Sequence, residues 1–187
     1  MPRILLDCDG PLADFTGGLC TALSARGFHR EAESVLHWDL KASLSQEEIA
    51  LLDEIVGEPG FCFDLPWVSG ARGLVAFLRA SAHEVLCVTS PWPSPTWMAE
   101  RLDWLAPAFA AEDVLFVPSK RKFLVEGDIL IEDHPAIACA WLDAHPDGYA
   151  ILVDRPWNSP RAKEFWPHSR MYRAHSTGEI IELSRML

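Results

Sequence analysis

Four stretches of the chain end an apolar run with residues that can do chemistry. Ile4-Leu5-Leu6 leads into Asp7-Cys8-Asp9-Gly10, and Val85–Val88 leads into Thr89-Ser90-Pro91. Ile129-Leu130-Ile131 leads into Glu132-Asp133, and Ala150–Val153 leads into Asp154. Three of these ends carry carboxylates and the other carries paired hydroxyls. Carboxylates gathered at one point repel, so a cation must offset them. Mg2+, a hard ion held by one or two carboxylates plus substrate phosphate and water, fits that composition. Asp7 could then attack phosphorus and split one hard displacement into two through an aspartyl-phosphate. Asp9, two residues on, is in reach to protonate the leaving oxygen and later to deprotonate the attacking water. Thr89, Ser90 and backbone N–H groups can hold phosphoryl oxygens, and a nearby lysine would offset charge on the five-coordinate species.

Such residues act together only if the chain brings the four ends to one place. With Val114–Val117, the apolar runs make five short β-rich segments of the kind found in a buried parallel sheet. Helical spacing lies between them: Leu74, Phe77 and Leu78 share a face, as do Leu102, Leu105 and Phe109, and Ile137 lies one turn from Trp141. The alternation predicts an α/β fold, a Rossmann-like parallel sheet flanked by helices with right-handed crossovers. In such sheets ligands bind at the carboxyl ends of the strands. The stretch from about Gly17 to Ser69 offers no strand. It shows helical patterns at Leu19–Ala25 and at Gln46–Val56, the second with Ser45 as N-cap and Glu48 at the capping-box position. Gly57-Glu58-Pro59-Gly60 then breaks the chain. The expectation is a small helical cap over residues 17–69, inserted into a core made of residues 1–16 and 70–187.

Composition narrows the partners. The 187 residues carry 27 Asp+Glu against 16 Lys+Arg, a formal net charge of −11. Proteins that bind duplex nucleic acid without sequence preference neutralise phosphates with surplus Lys and Arg, so that class is excluded, as is docking on an anionic membrane. The acidic cluster at Asp7 follows only three apolar residues, which is no signal peptide. The longest uncharged run, from Val85 to Ala99, is too short for a bilayer and is broken by Pro91, Pro93 and Pro95. The five cysteines include no CxxC pair and sit mostly in apolar stretches. Buried reduced thiols in a cytoplasmic protein are the expectation. The seven histidines show no metal-ligand spacing. Among the eight tryptophans, Trp104 and Trp141 fall on helical apolar faces and are expected in the core. Trp92, Trp97 and Trp157 fall in loops and are pocket or lid candidates.

Asp7-Cys8-Asp9-Gly10-Pro11-Leu12-Ala13-Asp14-Phe15 resembles the first motif of the haloacid dehalogenase superfamily. More narrowly, it resembles that of the 5′(3′)-deoxyribonucleotidases, the cytosolic type-C 5′-nucleotidases. The similarity continues through Trp38-Asp39-Leu40, the segment from Pro59 to Leu65, Gly70-Ala71 and Val88-Thr89-Ser90-Pro91. It takes in the segment from Lys122 to Asp133 and Asp154-Arg155-Pro156-Trp157-Asn158, and so covers nearly the whole chain. A lone DxDG is weak evidence; four motifs in order are specific.

The resemblance implies Asp7 as nucleophile and Asp9 as general acid/base. It implies Mg2+ on the Asp7 carboxylate, the Asp9 carbonyl and Asp133, and phosphate held by Thr89, Ser90 and Lys122. Lys122 is preferred over Lys120 and Arg121 because its spacing to Asp133 is the family's. An aromatic pocket for a nucleobase would draw on Phe15, Phe61 and Phe63, which makes a nucleoside monophosphate the implied substrate; a homodimer is the assembly to test. Two features depart from the family: Glu132-Asp133 replaces paired aspartates, and the segment from Pro91 to Trp97 is unlike that of mammalian members. Glu132 reads either as an outer ligand or as a strand terminus, Asp154 as a solvent-facing strand end, and His134 as lying outside the site. A phosphatase for another small metabolite and a non-catalytic phospho-ligand-binding module remain as alternatives. A dehalogenase is disfavoured, because it has no need of Asp9.

Overall fold

A computed structural model describes residues 2–81, 84–159 and 168–187. All five expected strands form: β1 (Arg3–Leu6), β2 (Glu84–Thr89), β3 (Val114–Phe116), β4 (Ile129–Glu132) and β5 (Tyr149–Val153). A sixth, β6 (Met171–Ala174), was not expected. It lies at the sheet edge and only Ala174 of its four residues is buried, so it lacks the continuous apolar run that marks the inner strands. The sheet is parallel throughout, in the order β3-β2-β1-β4-β5-β6. In this order the chain reverses direction of winding between β1 and β4, and the crevice at that switch point lies beyond the carboxyl ends of both strands. Asp7 directly follows β1 and Asp133 directly follows β4.

The sheet separates two apolar layers, as the two-residue alternation of strand side chains requires. Ile4 and Leu6 face the larger layer, and Leu5 and Leu130 face the other with Trp141 and Leu142. Flanking helices are α3 (Ala71–Ala80), α4 (Trp97–Leu105), α5 (Pro135–Ala144) and α6 (Thr177–Met186). Between β1 and α3 come α1 (Phe15–Ser24) and α2 (Gln46–Gly57). Leu19, Leu23, Leu52 and Ile55 from these two helices join the same apolar layer as Ile4 and Leu6.

Helix α1 starts earlier than its apolar spacing suggests, because the Asp14 side chain accepts from the Gly17 N–H at 2.9 Å and caps the N-terminus. At α2 the capping box forms as expected. Ser45 Oγ accepts from Glu48 N at 3.2 Å, and a Glu48 carboxylate oxygen accepts from Ser45 N at 2.7 Å. Trp104 and Trp141 are core residues. Trp97 opens α4 rather than lying in a loop and is buried, and Trp157 is buried in a short 3-10 turn, Pro156–Asn158. The five cysteines are free, four of them buried. Among the described residues no helix is long and apolar enough to cross a membrane.

Candidate active site

The strand ends converge on a cavity of about 390 Å³. Asp7, Asp9, Ser90, Lys122, Glu132 and Asp133 contribute to its wall. Lys122 comes from a 3-10 segment, Ser119–Leu124, which folds it inward while Lys120 and Arg121 stay outside the cavity wall. Its ammonium lies 2.6 Å from Asp7 Oδ1 and 2.9 Å from Glu132 Oε2, with all three side chains buried. Burial works against its charge, but Asp7 and Glu132 outweigh burial and hold Lys122 protonated above the ordinary lysine range.

Glu132 is more than a strand terminus. Its second carboxylate oxygen accepts from the N–H groups of Asp133 and His134, each at 3.1 Å, at the start of α5. Burial opposes its ionised form, yet Lys122 and its hydrogen-bond partners keep Glu132 below the usual carboxylate range. Asp7 and Asp133 go the other way. Burial first, and then the Glu132 charge, raises both well above that range, with Lys122 opposing.

Ligand oxygens of Asp7, Glu132 and Asp133 all lie within 4.8 Å of one another. Three carboxylates against one ammonium leave excess negative charge in a buried place, which a divalent cation would offset. The donor set is all oxygen, the kind a hard cation takes. Gly10 makes this approach possible. Its φ is +94°, and a Cβ there would fall 2.1 Å from Asp133 Oδ2, so any larger residue would displace that carboxylate.

The hydroxyls divide. Ser90 Oγ donates to the Val117 carbonyl and accepts from Ser119 Oγ, both at 2.8 Å. Thr89 is fully buried at the end of β2, and its Oγ1 has no hydrogen-bond partner, an arrangement that costs about 1–3 kcal/mol until a partner arrives. Asp9 lines the cavity while its Oδ1 accepts from Arg101 Nη2 at 2.7 Å.

Aromatic residues contribute a further part of the cavity wall. Phe15 stacks on Trp92 with centroids 6.0 Å apart, and both line the cavity with Trp97 and Trp157. The loop Trp38–Lys41, N-terminal to α2, closes another side. Phe61 and Phe63 do not line the cavity. Phe61 meets the edge of Phe15 from behind, at 5.9 Å, and Phe63 is 53% exposed. Residues 60–63 form a turn. That turn is drawn toward α4 by the Glu100 carboxylate, which accepts from the N–H groups of Gly60, Cys62 and Phe63.

Several participants escaped the sequence reading. Trp38 was noted in a motif but given no role, and it lines the cavity while its ring meets that of His134 at 4.2 Å. His134 itself caps α5 and does not line the cavity. Asn158 is fully buried and donates to the carbonyls of Asp133 at 2.6 Å and Val153 at 2.7 Å, locking the loop after β5 onto the loop after β4. Asp154 pairs with Arg173 and lies 3.3 Å from His175 rather than simply facing solvent. Arg101 carried no motif at all; an arginine on the apolar face of a helix was the one available signal.

A family model described as 5′ nucleotidase, deoxy (pyrimidine), cytosolic type C protein matches residues 1–185. A Bordetella bronchiseptica protein named "Putative 5′(3′)-deoxyribonucleotidase" is 35% identical over 184 residues, covering 95% of this chain and 96% of that one. A Staphylococcus epidermidis protein of the same name is 30% identical over 135 residues, covering 71% and 74%. Among solved structures, a haloacid dehalogenase (HAD) family hydrolase from Deinococcus radiodurans, with bound phosphate and sodium, superposes with a TM-score of 0.58 at 14% identity. It covers 99% of this chain and 96% of its own. The L-2-haloacid dehalogenase from Xanthobacter autotrophicus also has a TM-score of 0.58, at 11% identity, covering 99% and 98%. At such identities these two matches speak for the fold alone.

Proposed function

The chain belongs to the cytosolic type C 5′-nucleotidase family and is a phosphatase, and from that premise we propose that it hydrolyses deoxyribonucleoside monophosphates through an aspartyl-phosphate intermediate with Mg2+. The observation that carries the proposal is the buried Asp7–Lys122 contact at 2.6 Å in a cavity also lined by Phe15, Trp38, Trp92, Trp97 and Trp157. Asp7 attacks phosphorus as the ester P–O bond breaks, and Asp9 gives its proton to the departing oxygen. Water then attacks the phosphorus of the phosphorylated Asp7, Asp9 takes the water proton, and phosphate leaves.

Lys122 holds Asp7 in place and faces the charge that develops on the phosphoryl oxygens. Ser90, at the cavity wall, offers a further bond to those oxygens once its hydroxyl turns from the Val117 carbonyl, and Thr89, which does not line the cavity, holds an unpartnered hydroxyl next to it in the chain. Asp7, Asp133 and the Asp9 carbonyl would hold Mg2+, which when bound offsets the carboxylates and polarises the phosphoryl group. Glu132, committed to Lys122 and two backbone N–H groups, holds that arrangement from behind rather than joining it. Residues 17–69 act as a cap, and the Trp38–Lys41 loop is the part that meets the substrate. Phe15 and Trp92 offer stacking faces to a base.

A panel of deoxyribo- and ribonucleoside monophosphates and sugar phosphates, assayed with Mg2+, tests the reading. Clear preference for the deoxyribonucleotides is expected. Equal or better turnover of sugar phosphates would replace the proposed substrate with another small phosphate ester.

A further inference from the structure

Arg101 is a fully buried charge away from the strand-end cluster. Its side chain is 0% exposed, and a guanidinium removed from water costs several kcal/mol unless it is paired. Asp9 is the carboxylate it pairs with, NH2 donating to Oδ1 at 2.7 Å. NH1 donates to Cys8 Sγ at 3.0 Å, and Nε has no hydrogen-bond partner. The guanidinium carbon lies 5.1 Å from the Trp97 ring centroid and 5.4 Å from that of Trp104. Helix α4 is itself pinned: Glu100 clamps the turn at 60–63, and Trp104 Nε1 donates to the Leu65 carbonyl at 2.7 Å.

If Arg101 only filled space, an apolar side chain of similar volume would do so at less cost. If it only supplied charge, a lysine would suffice. What the planar fork adds is direction, since two donors at fixed angles, packed against two indoles, define where the bonded carboxylate oxygen sits. Asp9 is 31% exposed at the cavity wall, whereas Arg101 does not line the cavity and so does not meet a ligand there.

We infer that Arg101 is a positioning residue: it anchors Asp9 Oδ1 so that the other carboxylate oxygen addresses the leaving oxygen of the substrate. The inference rests on the role proposed above for Asp9. The proton that Asp9 delivers as the ester P–O bond breaks must travel along one defined line, and Arg101 sets that line from behind. Sequence spacing could not suggest the pairing, because the partners are 92 residues apart.

Two substrates that differ in their need for a proton test this. A deoxyribonucleoside 5′-monophosphate departs as an alkoxide and needs one; p-nitrophenyl phosphate releases a stabilised phenolate and does not. In Arg101→Met, kcat on the nucleotide should fall about 100-fold with KM nearly unchanged, while first-turnover release of p-nitrophenol should fall less than about tenfold. In an Asp9→Asn background, Arg101→Met should cost little more, about threefold at most. Equal losses on the two substrates would overturn the inference, as would a full further loss in the Asp9→Asn background. Wild-type turnover in Arg101→Met would also overturn it, and if Asp9→Asn is inactive in that experiment the role of Asp9 still stands. Wild-type turnover in Asp9→Asn would instead remove the proposed role of Asp9, and the inference with it. Should Arg101→Met fold poorly by thermal melting, Arg101→Lys, which keeps the charge and loses the fork, takes the same two-substrate comparison with the same expected asymmetry.

Discussion

Two charge clusters show how differently one chain can use ion pairs. In the helical stretch, Arg30 closes on Glu48 through two bonds of 2.9 and 2.8 Å. Glu48 also completes the Ser45 capping box, so one carboxylate fixes the start of α2 and ties it to the loop after α1. The charges balance, and the pair needs nothing more. At the strand ends Lys122 joins Asp7 and Glu132, with Asp133 beside them, and the charges do not balance. Burial and mutual repulsion push Asp7 and Asp133 up, so the fold holds these groups together against their preference. A balanced pair serves local architecture. An unbalanced cluster beside a cavity is a place prepared for a cation and an anionic substrate.

The sharpest way to break this comparison is Asp7→Asn. Phosphate release should fall by about 10³-fold or more, with the circular dichroism spectrum unchanged. Residual turnover near wild type would remove Asp7 from the chemistry. Lys122→Met should lower kcat by about 10²–10³-fold, measured at saturating nucleotide. It should also destabilise the metal-free protein by about 3–5 kcal/mol in urea titrations, because Asp7 and Glu132 lose the ammonium that pairs with them. A stability loss without an activity loss would make the strand-end cluster as architectural as the other one.

Glu48→Gln should do the reverse, costing about 1.5–3 kcal/mol of stability at pH 7 and leaving kcat unchanged. Burial opposes ionisation of Glu48, but the bonds from Arg30 and Ser45 prevail and bring its carboxyl from the ordinary 4.5 down to about 2. Because the folded-state value is the lower one, the stabilisation is complete above pH 4.5 and disappears as pH falls toward 2. Wild-type and Glu48→Gln melting temperatures should therefore converge across that window; a constant gap would assign the effect to shape rather than charge. The smallest effect belongs to Trp38→Ala, for which KM should rise about fivefold with kcat unchanged, the size expected for one lost aromatic contact. An unchanged KM would place the Trp38–Lys41 loop outside substrate contact.

The inner strands were legible because each is an apolar run that stops abruptly at polar residues. β6 was not, since Met171-Tyr172-Arg173-Ala174 mixes polar with apolar residues and buries only Ala174, whereas β3 at the opposite edge keeps an unbroken apolar run. The α2 capping box was legible because both partners lie within one helical turn. Phe61 and Phe63 were expected at the pocket through the family resemblance alone; Glu100, from a distant helix, gathers the N–H groups of that segment into a turn, and neither ring lines the cavity.

The sequence by itself determined the elements, their order and the residue types at each strand end, because these follow from local periodicity and from the short reach of neighbours along the chain. It also determined the family, through motifs that recur in order. Only the tertiary structure decided that Glu132 is spent on holding Lys122, that Trp38 reaches the cavity and that Arg101 grips Asp9. Each of these is a contact between residues of different elements. Such contacts are set by sheet order and helix packing, which place side chains far apart in sequence within 3 Å of each other.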